Sequence, residues 1–320
     1  WTGTLSQRNV AVGNSTMTGA MNDADQNVAV GYAALNALTT GSSNVAIGDR
    51  AGVNITTGNN NIIIGDSAGD GFDTEVENTF IGVGAGGGAI NGADACVAIG
   101  KDSLAGAATQ DGTVAIGKDA LNALTSGAGN LAIGYTAGQA LTTGDYNCYV
   151  GEAAGYGNVI GSNNTAFGYE AMPNFIAASG DEGDNTCVGW RAGKFTSTGE
   201  DNTFIGSSAG QGDTTTRLAG DVNTAIGKAA GLLLQGTATQ NTFVGAESGD
   251  SVTTGNYNSF VGFQSGAAVT TNSFNTALGR MALGEGDAGS STAVGYEALK
   301  SDSGGSNTAM GQQAGEDNAA

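Results

Sequence analysis

Short apolar runs recur along the whole chain, each between an asparagine and a glycine. Asn44-Val45-Ala46-Ile47-Gly48 is a clear copy. Anchoring every copy on its glycine, called position 0, gives eighteen copies, and thirteen of the seventeen spacings are 17 or 18 residues. The anchors are Gly13, Gly31, Gly48, Gly65, Gly82, Gly100, Gly117, Gly134, Gly151, Gly168, Gly189, Gly206, Gly227, Gly245, Gly262, Gly279, Gly295 and Gly311. A fixed period of this length is typical of a solenoid in which each copy is one coil.

A short apolar run bounded by Gly and Asn predicts a β-strand. Helical repeats need roughly 30 to 45 residues each, and frequent glycines would penalise every helix. A coil of this size has room for two strands of about five residues and two turns. Eighteen coils at about 4.8 Å each would form a rod roughly 85 Å long. We therefore predict an all-β, parallel β-solenoid that forms a single domain over residues 1–320, with lengthened coils near 168–189 and 206–227.

Position −4, four residues before the anchor, is Asn in fifteen of the eighteen coils. Stacked coils would bring these amides into register, where they can hydrogen-bond in a ladder. Asn also tolerates the left-handed backbone of tight turns, so we interpret the row as structural rather than as a ligand site. The ladder residues are Asn27, Asn44, Asn61, Asn78, Asn130, Asn147, Asn164, Asn185, Asn202, Asn223, Asn241, Asn258 and Asn275.

Positions −2 and +4 vary together. Where position −2 is not Ala, as at Phe243, position +4 is Gly; where position −2 is Ala, position +4 can be Leu or Met, as at Leu283. Large opposite small at constant volume is how close-packed interiors are filled. The two positions are therefore predicted to share one dry space.

Position −1 is apolar in every coil. Because adjacent strand residues point to opposite faces, positions −2 and −1 need burial on opposite sides of the strand. One side can be the thin core of the coil, whereas the other would be a long apolar stripe in water if the chain were alone. The pattern thus predicts a homo-oligomer.

The composition of the chain argues against nucleic-acid binding, membrane binding and catalysis. The 320 residues include 57 Gly, 1 Pro and no His, and the formal net charge is −20. That charge disfavours nucleic acid and anionic membrane surfaces as partners, and no apolar run is long enough for membrane insertion. Without His the commonest general base is missing, and no nucleophile has a plausible base. We predict no catalytic residue and no enzyme.

The three cysteines are Cys96, Cys148 and Cys187, which lie two or three coils apart. At about 4.8 Å per coil, their separations of roughly 10 Å or more exceed the ~7 Å Cα limit for a disulfide. We interpret them as small buried hydrophobic residues. Residue 1 is Trp rather than Met, so we expect a processed chain or a fragment.

The repeat also resembles known families. The Asn-Val-Ala-Ile-Gly phrase followed by x-x-Ala/Ser is similar to the repeats of YadA-like head domains of trimeric autotransporter adhesins, and Tyr32–Gly41 and Tyr296–Leu299 resemble repeats common in phage tail-fibre proteins. The resemblance implies a left-handed parallel β-roll with three chains side by side, extracellular, on a virion or cell surface. The coils are longer than the typical head repeat, and no stalk, anchor or chaperone segment is recognised, so adhesion is inferred by analogy.

Position +1 varies as an exposed position would and mixes aromatic with basic residues. Surface aromatics can bind sugars or proteins, or pack against a neighbouring chain. Lengthened coil ten contains the only proline, Pro173, and insertions in solenoids often form the binding face. The candidate binding residues are Tyr32, Tyr135, Tyr169, Trp190, Phe263, Tyr296 and Phe175.

Acidic stretches at 22–25, 70–77 and 181–184 could hold Ca²⁺ through carboxylate oxygens. None has the EF-hand spacing or the calcium-binding nonapeptide, so solvated loops are the preferred interpretation. No cofactor and no metal site is predicted.

Three functions remain open from the sequence. The preferred one is a structural, adhesive extracellular fibre rod, such as a tail fibre or adhesin head, that binds a host glycan or protein receptor. The second is a subunit of an extracellular filament, because the first and last coils carry the ordinary repeat and uncapped ends imply end-to-end stacking. The third is ice binding, because Thr dominates position −3 in coils ten to eighteen, although no second Thr row accompanies it.

Overall fold

The computed structural model describes residues 6–88, 92–180 and 183–316. These ranges are all-β: 18 parallel strands and no helix form a β-solenoid with about 17 residues per turn, which confirms the predicted fold class. The chain divides into two compact units, residues 1–160 and 161–320. The repeat predicted over the whole chain is present in both units, and each contains nine of the strands.

The strands are three residues long, and each occupies positions −3 to −1 of its coil. In the first unit they are β1 (Val10–Val12), β2 (Val28–Val30), β3 (Val45–Ile47), β4 (Ile62–Ile64), β5 (Thr79–Ile81), β6 (Val97–Ile99), β7 (Val114–Ile116), β8 (Leu131–Ile133) and β9 (Cys148–Val150). In the second they are β10 (Thr165–Phe167), β11 (Thr186–Val188), β12 (Thr203–Ile205), β13 (Thr224–Ile226), β14 (Thr242–Val244), β15 (Ser259–Val261), β16 (Thr276–Leu278), β17 (Thr292–Val294) and β18 (Thr308–Met310).

Within each unit, successive strands pair in register. In β2 and β3, for example, Ala29 lies opposite Ala46 and Val30 opposite Ile47. Equivalent positions therefore form straight rows along the stack. Position −2 points inward and is buried in every strand except β1 and β18, whereas positions −3 and −1 point outward.

The core is a thin column built from rows of the same coil positions. Coil three contributes Ala46 at position −2, Ala51 at position +3 and Ile55 at position +7, and all three are fully buried. The row at position +7 was not recognised from the sequence. It contains Leu38, Ile55, Phe72, Leu124, Leu141, Phe175, Leu234, Val252 and Val269, which are all buried.

The predicted pairing of large and small side chains is confirmed. A methyl group on Gly155 would lie 2.5 Å from the Tyr149 ring, and one on Gly86 would lie 2.5 Å from the Phe80 ring. Each pair joins positions +4 and −2 of one coil. The ring occupies the space that a side chain at position +4 would need, so volume is conserved from coil to coil.

The prediction of two strands per coil is wrong, because each coil contains one. After the anchor the backbone alternates through the left-handed region: positions +2 and +4 have positive φ in every coil, as at Arg50 (φ 54) and Gly52 (φ 57). These residues still pair between coils, since the Arg50 N–H donates to the Tyr32 carbonyl at 2.8 Å and the Gly52 N–H to the Ala68 carbonyl at 2.9 Å. A left-handed residue at every second position is incompatible with a strand.

The anchor is Gly for two reasons that operate together. At Gly245 φ is +135, and a methyl group there would lie 2.5 Å from the Gly262 carbonyl oxygen of the next coil. The backbone conformation disfavours an L side chain, and the stacking leaves no room for one. Close approach of successive anchors therefore explains why no other residue occupies position 0.

Candidate binding surfaces

The outward face of the strands is free of charge. Two side chains per strand, at positions −3 and −1, point away from the core, and none of them is Asp, Glu, Lys or Arg in a chain of net charge −20. Position −1 is apolar throughout and is nowhere buried, with exposed fractions of 40% for Ile47 and 54% for Phe167. We call these two rows in each unit the outer face.

The outer face differs in polarity between the two units. In the first unit position −3 is Val, Ile, Leu or Cys in every strand but β5, where it is Thr79. In the second unit position −3 is Thr in every strand but β15, where it is Ser259. The first unit therefore presents two apolar rows, and the second presents a hydroxyl row beside an apolar row.

The predicted asparagine ladder is confirmed. The Asn61 Nδ2 donates to Asn44 Oδ1 at 3.0 Å, and the Asn44 Nδ2 donates to Asn27 Oδ1 at 3.1 Å. The amide of Asn44 also closes its own coil, because its Nδ2 donates to the Gly58 carbonyl at 2.8 Å, whereas the buried Asn78 Nδ2 has no hydrogen-bond partner. All ladder residues are buried, so they hold the stack together and are not accessible to a ligand.

The exposed positions predicted at +1 are confirmed as exposed. Tyr32, Tyr135, Tyr169, Trp190, Phe263 and Tyr296 all present a large part of their rings to solvent. Several lie beside a cation: Lys118 Nζ is 5.2 Å from the Tyr135 ring centroid, and the Arg280 guanidinium is 5.4 Å from that of Tyr296. Cation–π contacts of this kind join neighbouring coils.

The densest of these groups lies on coils ten and eleven and comprises Tyr169, Glu170, Trp190, Arg191 and Lys194; we call it the Trp190 cluster. The Arg191 guanidinium lies 4.3 Å from the Trp190 ring centroid and 6.0 Å from that of Tyr169. Glu170 Oε2 accepts from Arg191 Nε at 2.8 Å and from Lys194 Nζ at 2.5 Å. The hydrogen bond from Lys194 is the largest cause that lowers the pKa of Glu170, followed by that from Arg191.

The prediction that Phe175 is a binding residue is wrong. Its side chain is fully buried, because it occupies position +7, where other coils place Leu, Ile or Val. A comparison of that position between coils would have revealed its role in the core. In the loop that follows Phe175, Ile176 and residues 178–180 are exposed, while Asp181 and Glu182 lie outside the described residues.

One aromatic pair escaped the sequence reasoning. Tyr257 and Phe274, at position −5 of adjacent coils, stack with ring centroids 5.0 Å apart and an interplanar angle of 9°. Both are exposed and have left-handed φ of 58 and 63. Other coils place turn-forming residues such as Asn60 and Ser290 there. The departure from turn residues was the signal in the sequence.

Two of the acidic stretches proposed for Ca²⁺ can be placed, and the third only in part. Glu75 is almost fully buried, and its carboxylate accepts the N–H groups of Asp73 at 2.9 Å, Thr74 at 3.0 Å and Gly92 at 2.9 Å. Asp25 Oδ1 accepts the N–H of Gln7 at 2.5 Å. Both carboxylates therefore order loop backbone. Among the described residues no group of three or more His, Cys, Asp and Glu could hold a metal ion.

The cysteines of the described chain are free thiols, as predicted. Cys96 and Cys187 are buried, and burial raises the pKa of Cys187 to about 12. Cys148 is half-buried, because it lies at position −3 of β9 on the outer face. Because its raised pKa keeps the Cys187 thiol protonated, Cys187 is a poor nucleophile and serves as a packing residue.

Within residues 6–88, 92–180 and 183–316, no helix is long and apolar enough to cross a membrane. Comparison with known proteins found no family model and no curated protein that matches this chain.

Proposed function

We propose that the chain is a structural and adhesive fibre rod, displayed outside the cell or on a virion, whose outer faces are covered by further copies of itself. The observation that carries the proposal is the outer face: apolar at position −1 in every strand, uncharged throughout, and unburied within one chain. Monomeric soluble proteins rarely expose apolar patches of this extent. Covering the rows removes them from water, which stabilises the assembly by roughly 25 cal/mol for each Å² of apolar area buried.

A second copy of the chain fits this face better than an unrelated partner. The rows repeat with the spacing of successive coils, and another copy carries rows of the same spacing, so the two can interdigitate over their whole length. The strong negative charge of the chain would oppose self-association elsewhere, but the outer face carries none of it. The resemblance of the repeats to trimeric adhesin heads favours three chains.

A charge on the outer face tests this proposal. Ile133→Lys introduces an ammonium group at position −1 of β8, where the side chain is 37% exposed, so the chain itself can fold around it. Burial of the ammonium against neighbouring chains would cost several kcal/mol. We expect the variant to be a folded monomer by circular dichroism and light scattering, while the wild-type protein is an oligomer.

Gln26→Lys is the matched control, because it adds the same charge at an exposed position −5 where the first coil already has Arg8. This control should keep the wild-type mass. An Ile133→Lys protein that assembles like the wild type would contradict the proposed interface. Electron microscopy then distinguishes the two assemblies: discrete rods support the fibre, and indefinite filaments support end-to-end stacking.

Ice binding is a second candidate, favoured by one observation in the second unit. Thr occupies position −3 in eight of its nine strands, stacked in register and at least partly exposed, as at Thr276 and Thr292. Ice-binding solenoids use regular arrays of Thr, and these hydroxyls form a row stacked in register. Thermal hysteresis in a solution of the purified protein would support this function, and its absence would dispose of it.

A further inference from the structure

We propose that the Trp190 cluster binds an acidic saccharide, one whose sugar ring carries a carboxylate. This inference deepens the adhesive part of the proposed function, on which it rests, by naming a site and a ligand class. Four features of the cluster support it: its paired aromatic rings, a guanidinium with free donors, its local charge and its closed backbone.

The aromatic part of the cluster is a two-ring surface. Phe167 and Val188 are register partners in β10 and β11, so Tyr169 and Trp190, each two residues further on, lie on adjacent coils. Their exposed fractions are 40% and 46%. The C–H face of a sugar ring is apolar and can cover such rings, which removes both surfaces from water.

The cationic part leaves hydrogen-bond donors free. Arg191 uses Nε for Glu170, and its Nη1 and Nη2 atoms have no hydrogen-bond partner among the described residues. Two parallel N–H groups match the two oxygens of a carboxylate. Because the guanidinium lies 4.3 Å from the Trp190 ring centroid, a carboxylate on a sugar stacked at the rings can reach these donors.

The local charge favours an anion here and disfavours it over most of the surface. Arg191 and Lys194 supply two positive charges and Glu170 one negative, so the cluster has a net charge of +1 in a chain of −20. Glu170 fixes both cations through one carboxylate oxygen. An acidic ligand is therefore repelled by most of the chain and attracted at this position.

The other aromatic groups at position +1 lack this combination. Arg280 donates Nη1 to the Tyr296 hydroxyl at 3.2 Å, so its two Nη atoms are not both free as they are in Arg191. Lys118 forms an ion pair with Asp119, which cancels the charge beside Tyr135. Tyr32 has no cation–π partner among the described residues.

The backbone at the cluster argues against a peptide ligand. The Gly189 N–H donates to the Phe167 carbonyl at 2.8 Å, and the Arg191 N–H donates to the Tyr169 carbonyl at 2.9 Å. An extended peptide gains most of its affinity by pairing with free backbone groups at a sheet edge. These backbone groups already pair with the neighbouring coil, so a ligand here must be bound by side chains. Side chains are also what a saccharide would contact.

Calorimetry on the full chain tests the inference with two acidic probes, tetragalacturonate and sialyllactose, and their neutral counterparts, the methyl ester and lactose. We expect at least one acidic probe to bind about tenfold more tightly than its neutral counterpart, because the carboxylate gains charge-assisted hydrogen bonds. Trp190→Ser should weaken that binding about tenfold through loss of the ring. Arg191→Gln should abolish the preference for the acidic form.

Both substitutions have precedents in this chain, since the same coil positions hold Ser207 and Gln264, so folding is preserved. Tyr146→Asn is the control, because Tyr146 is an exposed aromatic residue outside the cluster and coil four holds Asn60 at the same position; it should leave binding unchanged. Absence of binding by the wild-type protein at about 1 mM probe, equal binding of acidic and neutral forms, or undiminished binding by Trp190→Ser would overturn the inference. So would binding of a Glu-rich peptide in place of both acidic sugars. None of these results alters the oligomeric mass, which tests the fibre separately.

Discussion

A methyl group on Gly249 would lie 2.8 Å from Cδ1 and Cε1 of the Phe243 ring. Gly249 also has a left-handed φ of +58, which an Ala residue adopts at a cost of roughly 1–2 kcal/mol. Overpacking adds about 1–3 kcal/mol. Gly249→Ala should therefore lower the free energy of unfolding by about 2–5 kcal/mol, measured by urea denaturation.

The same relationship predicts a rescue. Gly249→Leu alone should disrupt folding, whereas Phe243→Ala with Gly249→Leu recreates the pair formed by Ala277 and Leu283 in coil sixteen, where Leu283 has φ 52. The double variant should recover most of the stability lost by Gly249→Leu. It should stay about 1 kcal/mol less stable than the wild type, because it loses the stacking of Phe243 on Phe260. Additive effects of the two substitutions would show that the positions do not share one space.

The asparagine ladder predicts a large cost for removal of one amide. In Asn44→Ala, the Asn61 backbone N–H and the Gly58 carbonyl both lose their partner in a buried site. Each buried group left unsatisfied costs about 1–3 kcal/mol. We expect a clear fall in Tm, whereas Asn54→Ala, which removes one exposed hydrogen bond to the Asp70 carbonyl, should change Tm little. Equal shifts would contradict the ladder.

Much of the fold could be predicted because the repeat compares eighteen versions of one coil. The strand, the ladder and the pairing of Gly249 with Phe243 all follow from substitutions between coils. The second strand was predicted wrongly because residues such as Leu35 (φ 47) take a left-handed conformation that their residue type does not reveal. At positions +2 and +4 the left-handed backbone forms hydrogen bonds with the neighbouring coils. The sequence of one coil does not reveal these bonds.

The candidate site was predicted less completely. Position +1 was recognised as exposed from its variability, which placed Tyr169 and Trp190 correctly. Phe175 was misassigned because the only proline drew attention to its loop and away from its coil position. Glu170 lies 21 residues from Arg191 and 24 from Lys194 on the adjacent coil, so their convergence became visible only once the register of the two coils was known.

The ion pairs of Glu170 predict a pH dependence. Hydrogen bonds from Lys194 and Arg191 hold the pKa of Glu170 below its usual range. Since the folded value is depressed, the pairs stabilise the fold above the unfolded pKa of about 4.3 and lose this effect as pH falls through the folded value. A carboxyl NMR titration should show a low pKa for Glu170 that rises in Lys194→Gln. An unchanged pKa in that variant would contradict the pairing.

The rate at which a thiol reagent labels the cysteines tests whether other chains cover the outer face. Cys148 lies on this face beside Leu131, whereas Cys187 is fully buried and burial raises its pKa to about 12. In the oligomer a thiol reagent at about pH 8 should label Cys148 slowly, and in Ile133→Lys it should label it fast. Cys187 should stay unlabelled in both until the protein is denatured. Equally fast labelling of Cys148 in both proteins would contradict a covered face.

The most direct test of the central claim is the mass of the wild-type protein in solution, measured by analytical ultracentrifugation over a range of concentrations. An outer face that needs partner chains predicts a species near three times the chain mass of 31.3 kDa. A stable species of 31.3 kDa at every concentration, with the apolar rows left in water, would contradict it.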